Sequence, residues 1–324
     1  MMKNVCAHGG NSMKKLVSTK NLSREQWLQY RKQGLGGSDI GAIVGVSQFK
    51  SAFQVYIDKT TETIDDYDNE ALRQGRDLES YIASRFEEKT GMRLRKSQAI
   101  WVHDKYNFML GDFDRVVIGK RIGVEIKTVS PFASHKWKEN KIPWEYQLQV
   151  QHYLAISNFE CWYICAMVYG TELIIRKIER DEELIKHLII IEKRFWEENI
   201  LANVMPEPDG SKRAGELLAK YYPTEKGKKT VLTEEFGLQL KRREELVDLI
   251  KKMEAEKKTI EQSLVKYLGE QESTEAENTD FFVRWTSFAT SRIDTDLLKK
   301  EAPDIYEKFK KTSTVNKLMI KAAA

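Results

Sequence analysis

Gly111-Asp-Phe-Asp-Arg-Val-Val-Ile-Gly-Lys-Arg-Ile-Gly-Val-Glu-Ile-Lys127 reads as two strands joined by a tight turn. Gly119-Lys120 can close a two-residue turn of type II′, since glycine supplies the positive φ required at its first central position. Ile118 then pairs with Arg121. Counting outward, Asp114 stands opposite Glu125 with Cβ atoms about 5 Å apart, and Asp112 stands opposite Lys127. Glu125 and Lys127, two residues apart on one strand, share a face. Two carboxylates set directly across a ladder repel unless a cation lies between them. A donor set made only of oxygens suits Mg²⁺ or Mn²⁺ rather than zinc. The backbone carbonyl of Ile126 is a further candidate ligand. Lys127 can orient or deprotonate a water, or stabilise charge that builds on a phosphate. The same residues also fit a surface hairpin whose acids pair with Arg115, Arg121 or Lys127.

On the N-terminal side, residues 94–102 and 108–118 carry strand-type residues, and residues 122–129 continue the pattern. Residues 24 onward open a helix, with Ser23 as N-cap and Gln26 in capping-box spacing. Further helices are expected over 39–44, 51–59 and 70–90, the last ended by Gly91. On the C-terminal side, residues 144–156 return to helical spacing. Strands are expected over 160–169 and 172–179, and a helix over 181–201 with Leu184, Leu188, Ile191 and Phe195 on one stripe.

Met205-Pro-Glu-Pro-Asp-Gly-Ser211 interrupts regular structure. Beyond it, residues 233–268 form a long helix with an a/d-like stripe of Leu246, Ile250, Met253, Ile260 and Leu264. Its balanced charge favours packing or self-association over a DNA-gripping arm. A strand over 281–288 and a basic helical tail over 294–324 follow. The expected organisation is a flexible tail over 1–20, an α/β catalytic domain over 21–205, a linker over 206–232 and a helical extension over 233–324. Met13 is a second candidate start.

The chain has 324 residues, 41 % of them hydrophobic, and a net charge of +4. That supplies a sizeable core and excludes a simple polybasic nucleic-acid coat, though not a local basic groove. Three cysteines make no disulfide framework or metal-type Cys pair. Cys6 stands alone, and Cys161 and Cys165 lie in an apolar run. With no secretory h-region and no long apolar stretch, the expected setting is cytoplasmic. The five histidines are scattered, and none is assigned a catalytic role.

Arg31-Lys-Gln-Gly-Leu-Gly-Gly-Ser-Asp39 brings a cation to a glycine-rich turn before a helix. Such a turn lets backbone approach a ligand closely, and helix N-termini bind phosphates. Arg31 and Ser38 are therefore candidate phosphate contacts. An ordinary turn capped by Ser38 or Asp39 fits the same residues. Lys136, Lys138 and Lys141 interleave with Phe132, Trp137 and Trp144, a composition that suits either a nucleic-acid-facing loop or a half-buried amphipathic segment.

Five pieces in order carry a family resemblance: Arg31 to Asp39 as quoted, then Gly75-Arg-Asp-Leu-Glu79, Gly111-Asp-Phe-Asp114, Val124-Glu-Ile-Lys127 and Tyr146-Gln-Leu-Gln-Val-Gln-His-Tyr153. Over about residues 22–202 the chain resembles the YqaJ-type viral recombinases, relatives of phage λ exonuclease in the PD-(D/E)XK nuclease superfamily. Phe113 stands where the superfamily name has proline. The resemblance implies a restriction-endonuclease-like α/β core, a mixed central sheet flanked by helices. It implies Asp114 and Glu125 as metal-binding carboxylates and Lys127 as the catalytic lysine. Glu79 would be a helix-borne acid completing the metal site. Gln149 would lie near the metal or water, with Gln147 and Gln151 as alternatives. Arg31 and Ser38 would hold a DNA 5′-phosphate. The implied activity is a Mg²⁺-dependent 5′→3′ exonuclease on double-stranded DNA ends, feeding phage-type recombination. A single-strand annealing protein is the implied partner, and a homo-oligomer, such as a ring, the implied assembly. An endonuclease of the same fold, or an inactive DNA-binding or assembly protein, is the alternative.

Overall fold

Lys14–Ser18 forms an edge strand, β1, in the computed structural model, which describes residues 13–48, 50–62, 69–222, 229–312 and 318–321. The expected loose tail is thus corrected over these five residues. Val17 packs with Ile100 and Leu110 in a small apolar cluster that holds β1 in place. The rest of that tail, with Cys6, lies outside the described residues.

Helix α1 (Arg24–Arg31) opens with the expected capping box between Ser23 and Gln26. Strand β2 (Leu35–Gly36) leads into helix α2 (Gly37–Ile43), and Ser51 caps helix α3 (Ala52–Thr60). Helix α4 (Glu70–Thr90) stops at Gly91, whose φ is +69°. The expected strand over 94–102 divides into β3 (Leu94–Lys96) and β4 (Ala99–Val102). That over 108–118 divides into β5 (Met109–Asp112) and β6 (Arg115–Val117). The divided strands belong to two different sheets. Strand β7 (Ile122–Val129) leads into a 3₁₀ segment (Pro131–Trp137), then helix α5 (Trp144–Ser157). Strands β8 (Cys161–Val168) and β9 (Glu172–Glu179) precede helix α6 (Glu182–Phe195), which passes into a π turn (Trp196–Leu201).

The two sheets run β1-β4-β5-β2 and β3-β6-β7-β8-β9. Both are mixed: β2 pairs with β5, and β7 with β8, in parallel. The β6–β7 register is the one read from the sequence, with Arg115 opposite Val124 and Val116 opposite Gly123. Its turn differs. The Lys120 amide donates to the Val117 carbonyl at 3.3 Å, so Ile118 and Gly119 are the central pair. Gly119, at φ +75°, then takes the second central position, where a type II turn needs it.

The five-stranded sheet is covered by helices on both faces, and strand alternation decides what each face receives. Val124, Ile126, Cys165 and Met167 pack against Ile82, Ala83 and Phe86 of α4. Trp162, Ile164, Ala166 and Val168 pack against Val150, Tyr153 and Leu154 of α5. Glu125 and Lys127 alternate with Val124 and Ile126, so they face α5. Every residue of α5 from Leu148 to Ser157 is buried, as expected of a helix covered all round.

Helix α7 (Lys212–Tyr221) lies inside the expected linker over 206–232. The Pro-rich stretch stops α6, but Ala214 and Leu217 then pack with Phe53, Leu188 and Phe195. The first compact unit therefore extends to Tyr222. The second unit holds α8 (Glu234–Glu270), the hairpin β10 (Glu275–Glu277) and β11 (Phe282–Arg284), and short helices α9 (Thr295–Glu301) and α10 (Pro303–Phe309). Two short helices replace the single basic helical tail, part of which lies outside the described residues. Leu246, Ile250, Met253, Ile260 and Leu264, expected to pack or to self-associate, are all exposed within the chain. Among the described residues, no helix is long and apolar enough to cross a membrane.

Candidate active site

Asp114 sits in the two-residue step between β5 and β6, where the chain passes from one sheet to the other. Its Oδ2 accepts the Ile126 amide at 2.8 Å. That bond ties the acid to β7, one residue from Glu125. Glu125 is only 3 % exposed. Its Oε1 accepts from Lys127 Nζ at 2.6 Å and from Gln149 Nε2 at 2.7 Å. Lys127 lies over the Tyr146 ring, 5.0 Å from its centroid. Gln149 also donates to the Tyr153 hydroxyl at 3.0 Å.

These contacts separate the three glutamines. Gln147 donates to the Ile142 carbonyl, and Gln151 to the Glu179 carbonyl, so both are structural. Only Gln149 of the three touches the acids. Helical spacing could not choose among them, because α5 is buried on all sides.

Arg31 and Ser38 come to the same place. Arg31 Nη2 donates to Ser38 Oγ at 3.0 Å, and its guanidinium lies 4.7 Å from the Trp27 ring centroid. A cavity of about 180 Å³ is lined by both, together with Asp112, Asp114, Glu125 and Gln149. Gly37 forms part of its wall. A Cβ there would lie 2.6 Å from the Tyr153 ring, so only glycine lets α2 approach α5 this closely.

One sequence expectation is corrected. Asp112 does not stand across from Lys127. The break at Phe113-Asp114 carries it into the other sheet, opposite Ile100, where Trp27 Nε1 donates to it at 2.7 Å. Of the loop aromatics, Trp137 is buried in the core whereas Phe132 and Trp144 are exposed, which is the half-buried segment of the two readings. Glu79 shares the stripe of Ile82, Ala83 and Phe86 on α4, which turns it toward the sheet. There its carboxylate pairs with Arg115 and, at 3.9 Å, with Lys96. It lines a neighbouring cavity with Asp112 and Asp114.

Sequence reasoning passed over Trp27 and Tyr153. Trp27 and Arg31 are four apart on α1, as are Gln149 and Tyr153 on α5, and residues so spaced share a helix face. That spacing was the available signal. Arg115, offered as a partner for the hairpin acids, pairs instead with Glu79 on a distant helix, which no local spacing marks.

The electrostatics of the two acids are unusual. Burial pushes the Asp114 carboxyl well above the carboxylate range, and Glu125 adds to the rise. Lys127 and the Ile126 amide pull it back only in part. Burial likewise raises Glu125 against the pull of Lys127. Burial would lower the Lys127 ammonium, but Glu125 and Asp114 hold it above its usual value. A protonated Lys127 is a donor and a charge, not a base. Among the described residues, Glu125 Oε2 is buried with no hydrogen-bond partner. A buried carboxylate oxygen left bare is costly unless a cation takes it. No three His, Cys, Asp or Glu side chains among the described residues are grouped to hold an ion by themselves. Mg²⁺ does not require such a cage, since one or two carboxylates with waters and substrate phosphates suffice. Asp114 and Glu125 therefore fit a divalent cation, with the Ile126 carbonyl beside them.

Residues 26–160 match the model of the YqaJ-like viral recombinase domain. The chain is 19 % identical to an alkaline exonuclease structure from Laribacter hongkongensis, over 61 % of this chain and 100 % of that one, with a TM-score of 0.48. It is 15 % identical to a phage-related exonuclease structure from Haemophilus somnus 129PT, over 52 % of this chain and 96 % of that one, with a TM-score of 0.41. It is 32 % identical to the uncharacterized protein YqaJ of Bacillus subtilis (strain 168) over 310 residues, which is 94 % of this chain and 97 % of the relative. With that identity held along nearly the full length of both chains, the protein belongs to the YqaJ-like viral recombinase family.

Proposed function

We propose that this chain is a divalent-metal-dependent deoxyribonuclease that degrades double-stranded DNA from its ends, 5′→3′, in phage-type recombination in the cytoplasm. The observation that carries the proposal is the pair Asp114 and Glu125, buried together beside Lys127, with one Glu125 oxygen bare. Asp114, Glu125 and the Ile126 carbonyl would hold Mg²⁺ or Mn²⁺. Such an ion activates water and offsets negative charge on a phosphoryl group when bound. Gln149 fixes the Glu125 carboxylate by donating to Oε1, so Oε2 keeps one direction. Lys127, charged, places a proton donor beside the phosphate oxygens. Arg31 and Ser38 would receive the 5′-terminal phosphate, Arg31 through charge-assisted hydrogen bonds. Glu79 would act from the neighbouring cavity once Arg115 releases it. A single-strand annealing protein would take up the exposed strand, and the chain would work as a homo-oligomer, for which a ring is one form.

Asp114→Ala and Lys127→Ala test this on a 5′-phosphorylated linear duplex and a closed circle, with and without Mg²⁺. Wild-type protein should shorten only the linear duplex and only with metal. Both variants should bind DNA and fail to cut it. Equal cutting of the circle would remove end dependence. Undiminished cutting by the variants would remove the site.

A further inference from the structure

Asp39 accepts from two lysines and a backbone amide, and nothing in the proposed chemistry uses it. Its side chain is fully buried. Oδ1 takes Lys50 Nζ at 2.7 Å. Oδ2 takes both Lys59 Nζ at 2.9 Å and the Gly36 amide at 3.0 Å. Lys59, itself 4 % exposed, also donates to the Arg31 carbonyl at 2.8 Å. Asp58 shares Lys50 at 2.8 Å. Capping the Gly36 amide needs only an acceptor, and asparagine would serve. Holding two ammonium groups, that of Lys59 almost fully buried, on one buried carboxylate is costly and calls for another reason.

The surroundings supply one. Through Lys59, Asp39 joins the end of α1, which carries Arg31, to the loop before α2, which carries Ser38. Gly36 lies between them. A Cβ there would lie in van der Waals contact with Arg31 Nη2, at 3.4 Å, so Gly36 faces the guanidinium. Arg31 and Asp39 also form a wall of a second cavity, of about 670 Å³, which Lys50 and Lys59 line. Lys50 and Lys59 balance Asp39 and Asp58, so the Arg31 guanidinium is not neutralised by the acids behind it.

We propose that Asp39 is a positioning residue for end recognition: its carboxylate, acting through Lys59 and the Gly36 amide, sets Arg31 against Ser38, so that this pair selects a terminal phosphate. The inference rests on the reading of Arg31 and Ser38 as end-phosphate contacts. Burial lowers the Lys59 ammonium to about 8 against the pull of Asp39, which marks how closely that charge depends on its partner.

The test uses the full chain and a fluorescein-labelled duplex carrying either a 5′-phosphate or a 5′-hydroxyl. Affinity is read by anisotropy without metal, so that cleavage plays no part. Wild-type protein should prefer the phosphorylated end. Asp39→Asn should reduce that preference about tenfold, the scale of one displaced charge-assisted contact. Because Asp39→Asn strands a buried cation, the pair Asp39→Asn/Lys59→Gln is measured beside it. The double variant should regain thermal stability without regaining the preference. A folded single variant with the wild-type preference would overturn the proposal, as would a double variant that regains stability and preference together. A wild-type protein indifferent to the phosphate would overturn the end-phosphate reading itself, and this inference with it.

Discussion

Gln149 Nε2 lies 2.7 Å from Glu125 Oε1, the same oxygen that Lys127 Nζ reaches at 2.6 Å, while Glu125 Oε2 has no partner. One oxygen is saturated and the other bare. Gln149→Ala should therefore weaken metal use more than it weakens the fold. Partners that orient a metal ligand typically change affinity by about 10–100-fold. The Mg²⁺ concentration for half-maximal cleavage should rise on that scale, and DNA binding without metal should stay unchanged.

Asp114→Asn should abolish cleavage and leave the metal-free protein as stable as wild type, or more so. The carboxyl it removes is held well above its ordinary range by burial and by Glu125, and such a group opposes folding when ionised. Mg²⁺ should raise the melting temperature of wild type, by about 2.7 kcal/mol of stability at a hundredfold excess over Kd. The variant should not respond. Calorimetry with and without Mg²⁺ checks both statements.

His152 is fully buried, with Nδ1 3.0 Å from Glu192 and Nε2 2.9 Å from the Leu110 carbonyl. Burial would lower its pKa, but Glu192 and the two hydrogen bonds raise it above the usual value. The folded state then holds this proton more tightly than the unfolded state does. Its stabilisation is complete below about pH 6.5, the unfolded value, and is lost as pH rises through the higher folded value. Melting temperature should fall with pH across that window in wild type, and the slope should flatten in His152→Gln.

Gly37→Ala places a methyl group 2.6 Å from the Tyr153 ring. Tyr153 is 4 % exposed and packs against the Phe113 and Trp162 rings. Overpacking of this kind costs about 1–3 kcal/mol. Because the Tyr153 hydroxyl accepts from Gln149, cleavage should fall as well. Thermal melting and an end-degradation assay measure the two effects.

Truncation after Tyr222 should leave a folded first unit, whereas truncation after Met205 should not. The shorter chain loses Leu217, which packs with Phe53 and Leu188. Removing a buried leucine side chain alone costs about 2–5 kcal/mol. Cooperative melting of the two fragments distinguishes them.

Much of this was legible where local rules act. Ser23 and Gln26 form their box, Gly91 ends α4, and the β6–β7 register follows from the turn spacing even though the turn centres one residue earlier than expected. What sequence could not show were features decided by distant partners. Lys14–Ser18 is too short and polar to announce a strand until β4 lies beside it. Asp112 looked like a partner for Lys127 because no local signal marks the change of sheet at Phe113-Asp114. Ala214 and Leu217 looked like linker residues because their apolar partners lie on α3 and α6. The hairpin register already pairs Asp114 with Glu125, and the family resemblance sets Gln149 near them, but that Arg31 and Ser38 line the same cavity needed three dimensions.

The passage of Asp114 between sheets has a dimensional consequence. Trp27 fastens the Arg31 helix to Asp112 on one sheet, and the Ile126 amide fastens Asp114 to the other. The arginine and the paired acids are therefore tied to different sheets, and the short step at Phe113-Asp114 is what joins those sheets beside the site. For the end-directed cleavage proposed above, that step would serve as the ruler.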